Sequence, residues 1–388
     1  MKDSQKNIKL LSWFNFFTDF KLYSAVAIIY FAQVSGSYAL GMSVFSVMML
    51  SSAIFEVPTG IFSDLIGRKK TIFLGALASI LGVIFYAIGG AYLFLVVGAV
   101  LEGLSRSFYS GNNNALLYDS LVETQQEAEY HTFLGKVSSM FQVALALSAI
   151  AGSIIAHWSF AWVMWLSVIP QVLCLIISLK MVETTNQVIK SDSNVFSHIK
   201  EAFKYFFENR KLRLLSLASI LNYAFGESAF QFRSAFVNLL WPLWAVGIAR
   251  ALANFGAALS YYFSGSLIKK FKEFKILIIG NVYGRIISLI ALFFPTVLSP
   301  ALLSSNSLFF GVTSTAQENL FQKEFTSTQR ATMGSLNSLF GSIAFALVSF
   351  FLGLFADRFG PIKALLIVQV CMAAIIGIYW KLFKPKLN

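Results

Sequence analysis

The chain has 388 residues, of which 57% are hydrophobic and 12% charged, and it contains 40 phenylalanines. A soluble globular domain carries about 25% charged residues, so this composition excludes that class and indicates a chain surrounded mostly by lipid. The net charge of +12 is also typical of nucleic-acid binding, but these cations are scattered over loops that flank apolar runs and do not gather on one face. We therefore expect no nucleic acid among the partners.

Apolar runs long enough to cross a bilayer, about twenty residues each, recur along the whole chain. The twelve predicted spans are 10–33, 39–61, 71–89, 91–118, 131–156, 159–180, 212–237, 242–267, 275–294, 296–322, 332–356 and 361–381. The first run is too long for the core of a signal peptide and has no small-residue cleavage site behind it, so we interpret it as a retained span. The sequence predicts an all-α membrane protein.

Lysine and arginine are concentrated in alternate connections between the spans. With the amino terminus inside, the cytoplasmic connections include the Arg68–Lys70 cluster and the segments 190–213 and 269–275, whereas Arg358 and Lys363 are exceptions in the last outer turn. Positive charge favours the cytoplasmic side of a membrane. We therefore predict a multi-pass protein of the inner (cell) membrane with both termini in the cytoplasm.

The longest polar interruption lies between spans six and seven. Within it, apolar residues from Val195 to Phe207 recur at helical spacing, which predicts an amphipathic helix on the inner membrane surface. The predicted organisation is an N-terminal six-helix bundle (1–181), a cytoplasmic linker (182–211) and a C-terminal six-helix bundle (212–388).

The connection between spans two and three combines charge with glycine. Gly60, Asp64, Gly67, Arg68 and Lys69 follow the spacing G-x-x-x-D-x-x-G-R-K. Such charge is tolerated only at the water interface of a membrane. The motif resembles that of the major facilitator superfamily, whose members carry it between their second and third helices.

The resemblance extends over the whole chain, through twelve spans, a central connection and the sequence Tyr118-Asp119-Ser-Leu at the inner end of span four. It implies two six-helix bundles around a central cavity, and transport by alternating access. It also implies a latch in which Asp64, Arg68 and Asp119 stabilise the outward-facing state and separate when the inner gate opens. We expect Gly60 to allow close helix approach. The alternative is that the cations there only anchor the topology.

Ionisable residues inside spans are costly, so each is a functional candidate. The candidates for proton coupling are Asp19, Glu102 and Glu227. Asp19 and Lys21 would lie on nearly opposite faces of one helix, so Asp19 needs another partner or a proton. Glu102 and Arg106 have the i, i+4 spacing of a structural pair, which is one alternative. For Glu227 the alternative is pairing with an arginine of another helix.

The candidates for substrate binding are Arg106, Asn113, Asn222, Arg250 and Arg285. An arginine at membrane depth either finds a partner across helices or meets an anion in a water-filled cavity. An asparagine there lines a cavity or hydrogen-bonds to a neighbouring helix. Arg233 lies closer to the outer end of its span, and we expect its side chain to extend toward the interface.

Patterns of catalysis are missing from the sequence. It contains no phosphate-binding glycine loop followed by lysine, no His-Glu-x-x-His and no acid pair at catalytic spacing. We therefore expect no enzymatic activity, no cofactor and no metal site. Transport must then draw on an ion gradient or on the gradient of the substrate, and the proton is the expected coupling ion.

The resulting hypothesis is a monomeric secondary active transporter in the lipid bilayer that exports drugs or other small organic molecules in exchange for protons. Exporters of this family often carry Gly-Pro-x-x-Gly-Gly in span five, but the region here reads Ser148-Ala-Ile-Ala-Gly152-Ser, with one glycine and no proline. Uptake or facilitated movement of a small organic anion, received by Arg250 and Arg285, is the alternative. A membrane sensor that moves nothing is the alternative from a different class, because fold alone does not determine function.

Overall fold

The computed structural model describes residues 2–184, 206, 209–324 and 330–383, and these ranges are helical apart from short connections. The helices, numbered in chain order, are α1 Lys2–Asp19, α2 Ala27–Ser35, α3 Tyr38–Ile66, α4 Arg68–Ile88, α5 Tyr92–Tyr109, α6 Asn112–Glu123, α7 Tyr130–Trp158, α8 Phe160–Leu166, α9 Val168–Lys180, α10 Arg210–Leu240, α11 Leu243–Phe271, α12 Glu273–Phe293, α13 Ser299–Ser305, α14 Phe310–Glu324, α15 Arg330–Phe359 and α16 Pro361–Phe383. Three 3₁₀ turns accompany them, Leu22–Ala25, Glu127–Glu129 and Asn306–Phe309.

Every predicted span coincides with one of these helices or with two consecutive ones, so the all-α fold is confirmed. Within the described ranges, nine helical stretches are long and apolar enough to cross a membrane. The first, seventh and tenth predicted spans are not among the nine. The seventh is one helix, α10, interrupted by polar side chains, whereas the first and tenth are each broken. The predicted amphipathic helix at 195–207 lies outside the described residues, except for Phe206.

The first span is broken directly after Asp19. Lys21 has an extended backbone, with φ −103° and ψ 104°, and the 3₁₀ turn follows it before α2 begins. A Cβ on Gly152 of α7 would overlap the carbonyl oxygen of Leu22, so only glycine allows α7 to lie this close to the break. The prediction that Asp19 and Lys21 occupy opposite faces of one helix is wrong, because the helix ends between them.

The tenth span is broken at a run of polar residues, Ser304 to Ser307. The hydroxyl groups of Ser304 and Ser305 donate to the carbonyls of Pro300 (2.9 Å) and Leu302 (2.7 Å). Side chains of this kind offer the backbone an alternative to regular helical hydrogen bonds. The helix α13 accordingly ends at Ser305, and α14 begins only at Phe310.

The chain divides into two compact units, Met1–Lys190 with Pro242–Ala251, and Ser191–Trp241 with Leu252–Asn388. The start of α11 belongs to the first unit because Ser153 of α7 holds it. The Ser153 hydroxyl donates to the carbonyl of Trp244 (2.9 Å) and accepts from the N–H of Gly247 (3.0 Å). The bundle boundaries expected from the sequence remain a prediction.

The core of the first unit surrounds the middle of α1. Leu11 and Phe14 of α1 are fully buried against Ile72 of α4, Leu117 of α6 and Cys174 of α9. Burial of large apolar side chains stabilises a helix bundle through close packing. This packing fixes the end of α1 and therefore the position of the charged side chains at the break.

Candidate functional site

The motif between α3 and α4 forms an ion pair with α6. Arg68 Nε donates to Asp119 Oδ2 at 2.7 Å, and the Asp119 side chain is only 8% exposed. The hydroxyl of Thr184 lies 3.5 Å from the same carboxylate oxygen. The side chain of Asp64 lies outside the described part of the chain. Two of the three charges of the expected latch are therefore in contact, and the role of the latch stays a prediction.

Glu183, which the sequence interpretation missed, caps the start of α4. Its carboxylate accepts hydrogen bonds from the backbone N–H groups of Arg68 (2.8 Å) and Lys69 (3.1 Å). A carboxylate at a helix N-terminus accepts hydrogen bonds from the free backbone N–H groups, and its negative charge is attracted to the positive end of the helix dipole. Gly67 has φ +96°, and a Cβ there would lie 2.6 Å from Glu183 Oε2. Both facts explain the glycine at position 67.

Gly60 behaves differently from the expectation. A Cβ on Gly60 would meet no atom within 4 Å among the described residues. Close helix approach in this unit occurs instead at other glycines of the spans, such as Gly103 of α5, where a Cβ would lie 2.6 Å from the Cβ of Ser51. The expected close packing at Gly60 is therefore not found.

A buried polar network crosses the first unit at the break in span one. Lys21 forms an ion pair with Glu102 of α5, with side chains 15% and 2% exposed respectively. The hydroxyl of Ser79 lies 3.4 Å from the Glu102 carboxylate and 2.9 Å from Gln171 Oε1. Gln171 Nε2 donates to the carbonyl of Phe17 at 3.2 Å. The network thus ties α4, α5 and α9 to the broken end of α1.

Asp19 and Arg106 complete a four-charge cluster with Lys21 and Glu102. All three of these partners lie within electrostatic reach of Asp19. Asp19 is half-buried and Arg106 is exposed. Neither the carboxylate of Asp19 nor the guanidinium of Arg106 has a hydrogen bond to a described residue. The alternative of a structural pair between Glu102 and Arg106 is not found, and Glu102 pairs with Lys21 instead.

The second unit brings two arginines together. Arg285 of α12 lies within electrostatic reach of Arg233 of α10. Arg233 donates from Nη1 to the carbonyl of Leu303 at 3.0 Å. The guanidinium of Arg233 is thus held by α13, and its expected extension toward the interface stays a prediction. Glu227 accepts from Gln231 at 2.6 Å, so it is held within α10 and does not pair with an arginine among the described residues.

The other predicted residues lie apart from these clusters. Asn113 donates to Asn15 Oδ1 at 3.3 Å, and Asn113 Oδ1 is buried without a partner among the described residues. Asn222 and Arg250 are half-buried. Arg250 belongs to the first unit, whereas Arg285 belongs to the second. The described residues contain no group of three or more His, Cys, Asp or Glu placed to hold a metal ion.

A family model matches the chain from the first predicted span into the eleventh. Residues 10–348 match the model described as the Major Facilitator Superfamily. The chain belongs to this superfamily. Solved structures of transporters have a similar fold. The structure of a mutant of the nucleoside transporter NupG superposes with a TM-score of 0.85 and 13% sequence identity, and the match covers 98% of this chain and 100% of the NupG chain. A D-xylose-proton symporter has a TM-score of 0.79, with 99% and 98% covered and 13% identity. At these identities the likeness shows the fold alone.

Curated relatives match over shorter regions. An uncharacterized transporter of Buchnera aphidicola (subsp. Acyrthosiphon pisum) is 26% identical over 165 residues, which is 42% of this chain and 40% of that protein. The inner membrane transport protein YajR of Escherichia coli K12 is 22% identical over 239 residues, or 60% and 51%. The chain thus spans about half the length of these relatives. Membership of the superfamily and the apolar helices establish an integral membrane protein.

Proposed function

We propose that the protein is a secondary active transporter that moves a small organic molecule by alternating access and couples this movement to protons. The observation that carries the proposal is the cluster of Asp19, Lys21, Glu102 and Arg106 at the break in the first span. Discontinuous helices are common at the substrate and ion sites of transporters. Charged side chains inside spans are costly and usually serve transport.

Within this cluster, the roles differ because the contacts differ. Lys21 and Glu102 neutralise each other in direct contact. Asp19 is the carboxylate without a hydrogen bond to a described residue, and two cations lie within electrostatic reach of it. Its protonation can therefore respond to changes in the positions of its neighbours. We assign Asp19 as the proton carrier and Arg106 as the cation that interacts with its charged form. The Lys21–Glu102 ion pair holds the broken end of span one in position beside them.

The remaining elements of the proposal rest on the sequence and on the relatives. The same fold serves a protein described as a D-xylose-proton symporter, so the fold is compatible with proton coupling. The Arg68–Asp119 contact supports a latch at the inner end of the first six spans. Export by a monomer in the inner membrane, with both termini in the cytoplasm, is the proposed direction and setting. Transport of a small organic anion is a second candidate, which the free donors of Arg285 favour.

The test is proton movement in proteoliposomes that contain the purified protein and a pH-sensitive dye. Pools of drugs, amino acids, sugars and organic acids are added to the outside, and dye response is recorded for wild type, Asp19→Asn and Glu227→Gln. The Glu227 carboxylate also lies inside a span but is held by Gln231, so Glu227→Gln is the matched control.

We expect at least one pool to move protons through the wild type and through Glu227→Gln but not through Asp19→Asn. An unchanged proton signal in Asp19→Asn would refute the assignment of the carrier. No proton signal from any pool, together with substrate counterflow in the same vesicles, would replace proton coupling with facilitated transport. The absence of both would favour the sensor.

A further inference from the structure

We propose that the second unit contains a binding site for a small anion, a carboxylate or a phosphate, formed by Arg233 and Arg285 beside the break in the tenth span. This inference rests on the proposed transport function, for which it names the class of substrate. Three observations carry it: free donors on Arg285, a second cation within electrostatic reach of Arg285, and a polar break that hydrogen-bonds to that second cation and to the helix of Arg285.

Arg285 has donors that its surroundings do not satisfy. Its Nε and Nη1 atoms are buried and have no hydrogen-bond partner among the described residues. Nε carries one N–H and Nη1 carries two, and a guanidinium retains its charge in proteins. Buried donors of this kind are costly unless a ligand satisfies them. Arginine is the side chain best suited to bind the planar oxygens of a carboxylate or phosphate.

Arg233 adds a second positive charge to the same place. It lies within electrostatic reach of Arg285, and its contacts are with the Leu303 carbonyl and, at 5.8 Å, the ring of Phe230. No described carboxylate forms an ion pair with either arginine. By contrast, Lys21 and Arg68 in the first unit each contact an acidic side chain. Two like charges at membrane depth repel each other, and a bound anion relieves that repulsion.

The break in the tenth span faces the arginines. Leu303, which binds Arg233, lies at the end of α13, and Asn306 immediately after α13 donates to Ser288 Oγ at 2.8 Å. Ser288 is three residues after Arg285 and therefore lies on the same face of α12. Asn306 Oδ1 is buried without a partner among the described residues. The break thus contributes an unused acceptor, which suits an anion that also carries a hydrogen-bond donor.

The depth of the site excludes a simple role in anchoring. Arg285 precedes the end of α12 at Phe293 by eight residues, which is about 12 Å of helix at 1.5 Å per residue. A side chain that anchors a helix lies at its end and reaches the headgroups. Arg358 at the end of α15 is an example, since it is exposed and lies over the ring of Phe359.

The test is ligand-dependent thermal unfolding of the purified protein in a neutral detergent, followed by tryptophan fluorescence. The probes are succinate, inorganic phosphate and the neutral analogue succinamide, with sodium chloride at matched ionic strength as the salt control. A separate arm adds phosphatidylglycerol, which distinguishes a lipid headgroup from a soluble anion. The variants are Arg285→Gln, Arg285→Lys, Arg233→Gln and the matched control Arg358→Gln.

We expect succinate or phosphate, and not succinamide, to raise the midpoint of the wild type and of Arg358→Gln. Arg285→Gln should weaken the apparent affinity by about tenfold or more, as loss of charge-assisted hydrogen bonds does, and Arg233→Gln should weaken it as well. Arg285→Lys keeps the charge but loses the planar donors, so it should fall between wild type and Arg285→Gln. Because Arg285→Lys retains charge at the site, it remains informative if Arg285→Gln does not fold.

Equal responses to succinate and succinamide, or an equal loss in Arg358→Gln, would overturn the site. A response to phosphatidylglycerol alone that is lost in Arg285→Gln would support the site with a headgroup as its ligand. Failure here is separable from failure of the proposed function. Proton movement that depends on Asp19 without anion binding would refute only this site, and anion binding without proton movement would refute only the coupling.

Discussion

The Lys21–Glu102 ion pair provides the sharpest test of how the break in the first span is held. Lys21→Met removes the cation and leaves a carboxylate that is only 2% exposed, with the distant hydroxyl of Ser79, at 3.4 Å, as its remaining hydrogen-bond partner. Removal of one partner from a buried ion pair costs about 3–5 kcal/mol. We expect the cost of Lys21→Met to lie in the middle of that range, at roughly 4 kcal/mol.

Glu102→Gln should lower the free energy of unfolding by less than Lys21→Met does, because the charge that it leaves unpaired, on Lys21, is less buried. The Lys21 side chain is 15% exposed, and Asp19 lies within electrostatic reach of it. The glutamine also keeps an oxygen that Lys21 and Ser79 can donate to. A hydrogen bond that changes from charged to neutral acceptor loses about 1.5–3 kcal/mol at most, so we expect about 2 kcal/mol.

The double variant Lys21→Met/Glu102→Gln tests whether Lys21 and Glu102 stabilise the protein as a pair. It buries no isolated charge, so its cost should fall short of the sum of the single variants by about 2–3 kcal/mol. The readout is thermal unfolding of the purified protein. At about 2–4 °C per kcal/mol for a unit of this size, Lys21→Met should lower the midpoint by on the order of 10 °C. Additive effects, within about 0.5 kcal/mol, would refute the contact as a stabilising pair.

Three further predictions concern other parts of the first unit. Gly152→Ala places a methyl group against the Leu22 carbonyl and should destabilise the protein by about 1–3 kcal/mol. Gly265 has open space around it, so Gly265→Ala should not destabilise the protein and serves as the control. Thermal unfolding of both variants is the measurement. Glu183→Gln should cost about 0.5–1 kcal/mol through a weakened cap on α4, and the difference from wild type should shrink in high salt. Asp119→Asn removes the charge that pairs with Arg68. This should shift the equilibrium between the outward-facing and inward-facing states about tenfold and reduce transport at normal expression.

Each of these three has an outcome that would contradict it. Equal midpoints for Gly152→Ala and Gly265→Ala would mean that α7 does not hold the break by close packing. A cost of Glu183→Gln that is independent of salt would argue against an electrostatic cap. Full transport by Asp119→Asn at normal expression would remove the latch from the mechanism and leave the cations of the motif as topological anchors.

The sequence predicted the spans well because length and apolar content are properties of a continuous segment. Helices such as α4 and α16 follow directly from uninterrupted apolar runs. The motif from Gly60 to Lys69 also placed the connection of α3 and α4 correctly. Both kinds of signal are local, so a single sequence contains all the information that they need.

The breaks and the pairings were harder to predict, for a physical reason. The break after Asp19 lacks glycine and proline, and the residue that lets α7 pack directly on the Leu22 backbone there, Gly152, lies far along the chain. The sequence of two opposite charges at Asp19 and Lys21 inside an apolar run was the available signal. Lys21 finds its partner at Glu102, 81 residues away, and no local rule favours that partner over Asp19 or Arg106.

In the second unit, too, one candidate residue was identified from a local signal and the other depends on long-range packing. Arg285 was identified from its depth in a span, which is a local property. The proximity of Arg233 depends on how α10, α12 and α13 pack, and the carbonyl that accepts its hydrogen bond, that of Leu303, lies in the last turn of α13. The polar run from Ser304 to Ser307 could have indicated that break, since serine and asparagine compete with helical hydrogen bonds.

The short segment Val182–Thr184 has a mechanical consequence for the chain as it leaves the first six spans. Asn7 of α1 grips the Val182 backbone from both sides, with N–O distances of 2.9 Å in each direction, and Glu183 adds its two hydrogen bonds to the start of α4. Tension applied from the following segment is therefore shared among these hydrogen bonds and enters α1 and α4 before it can peel α9 away. These hydrogen bonds therefore transmit a pulling force to α1 and α4, and not to the sixth span alone.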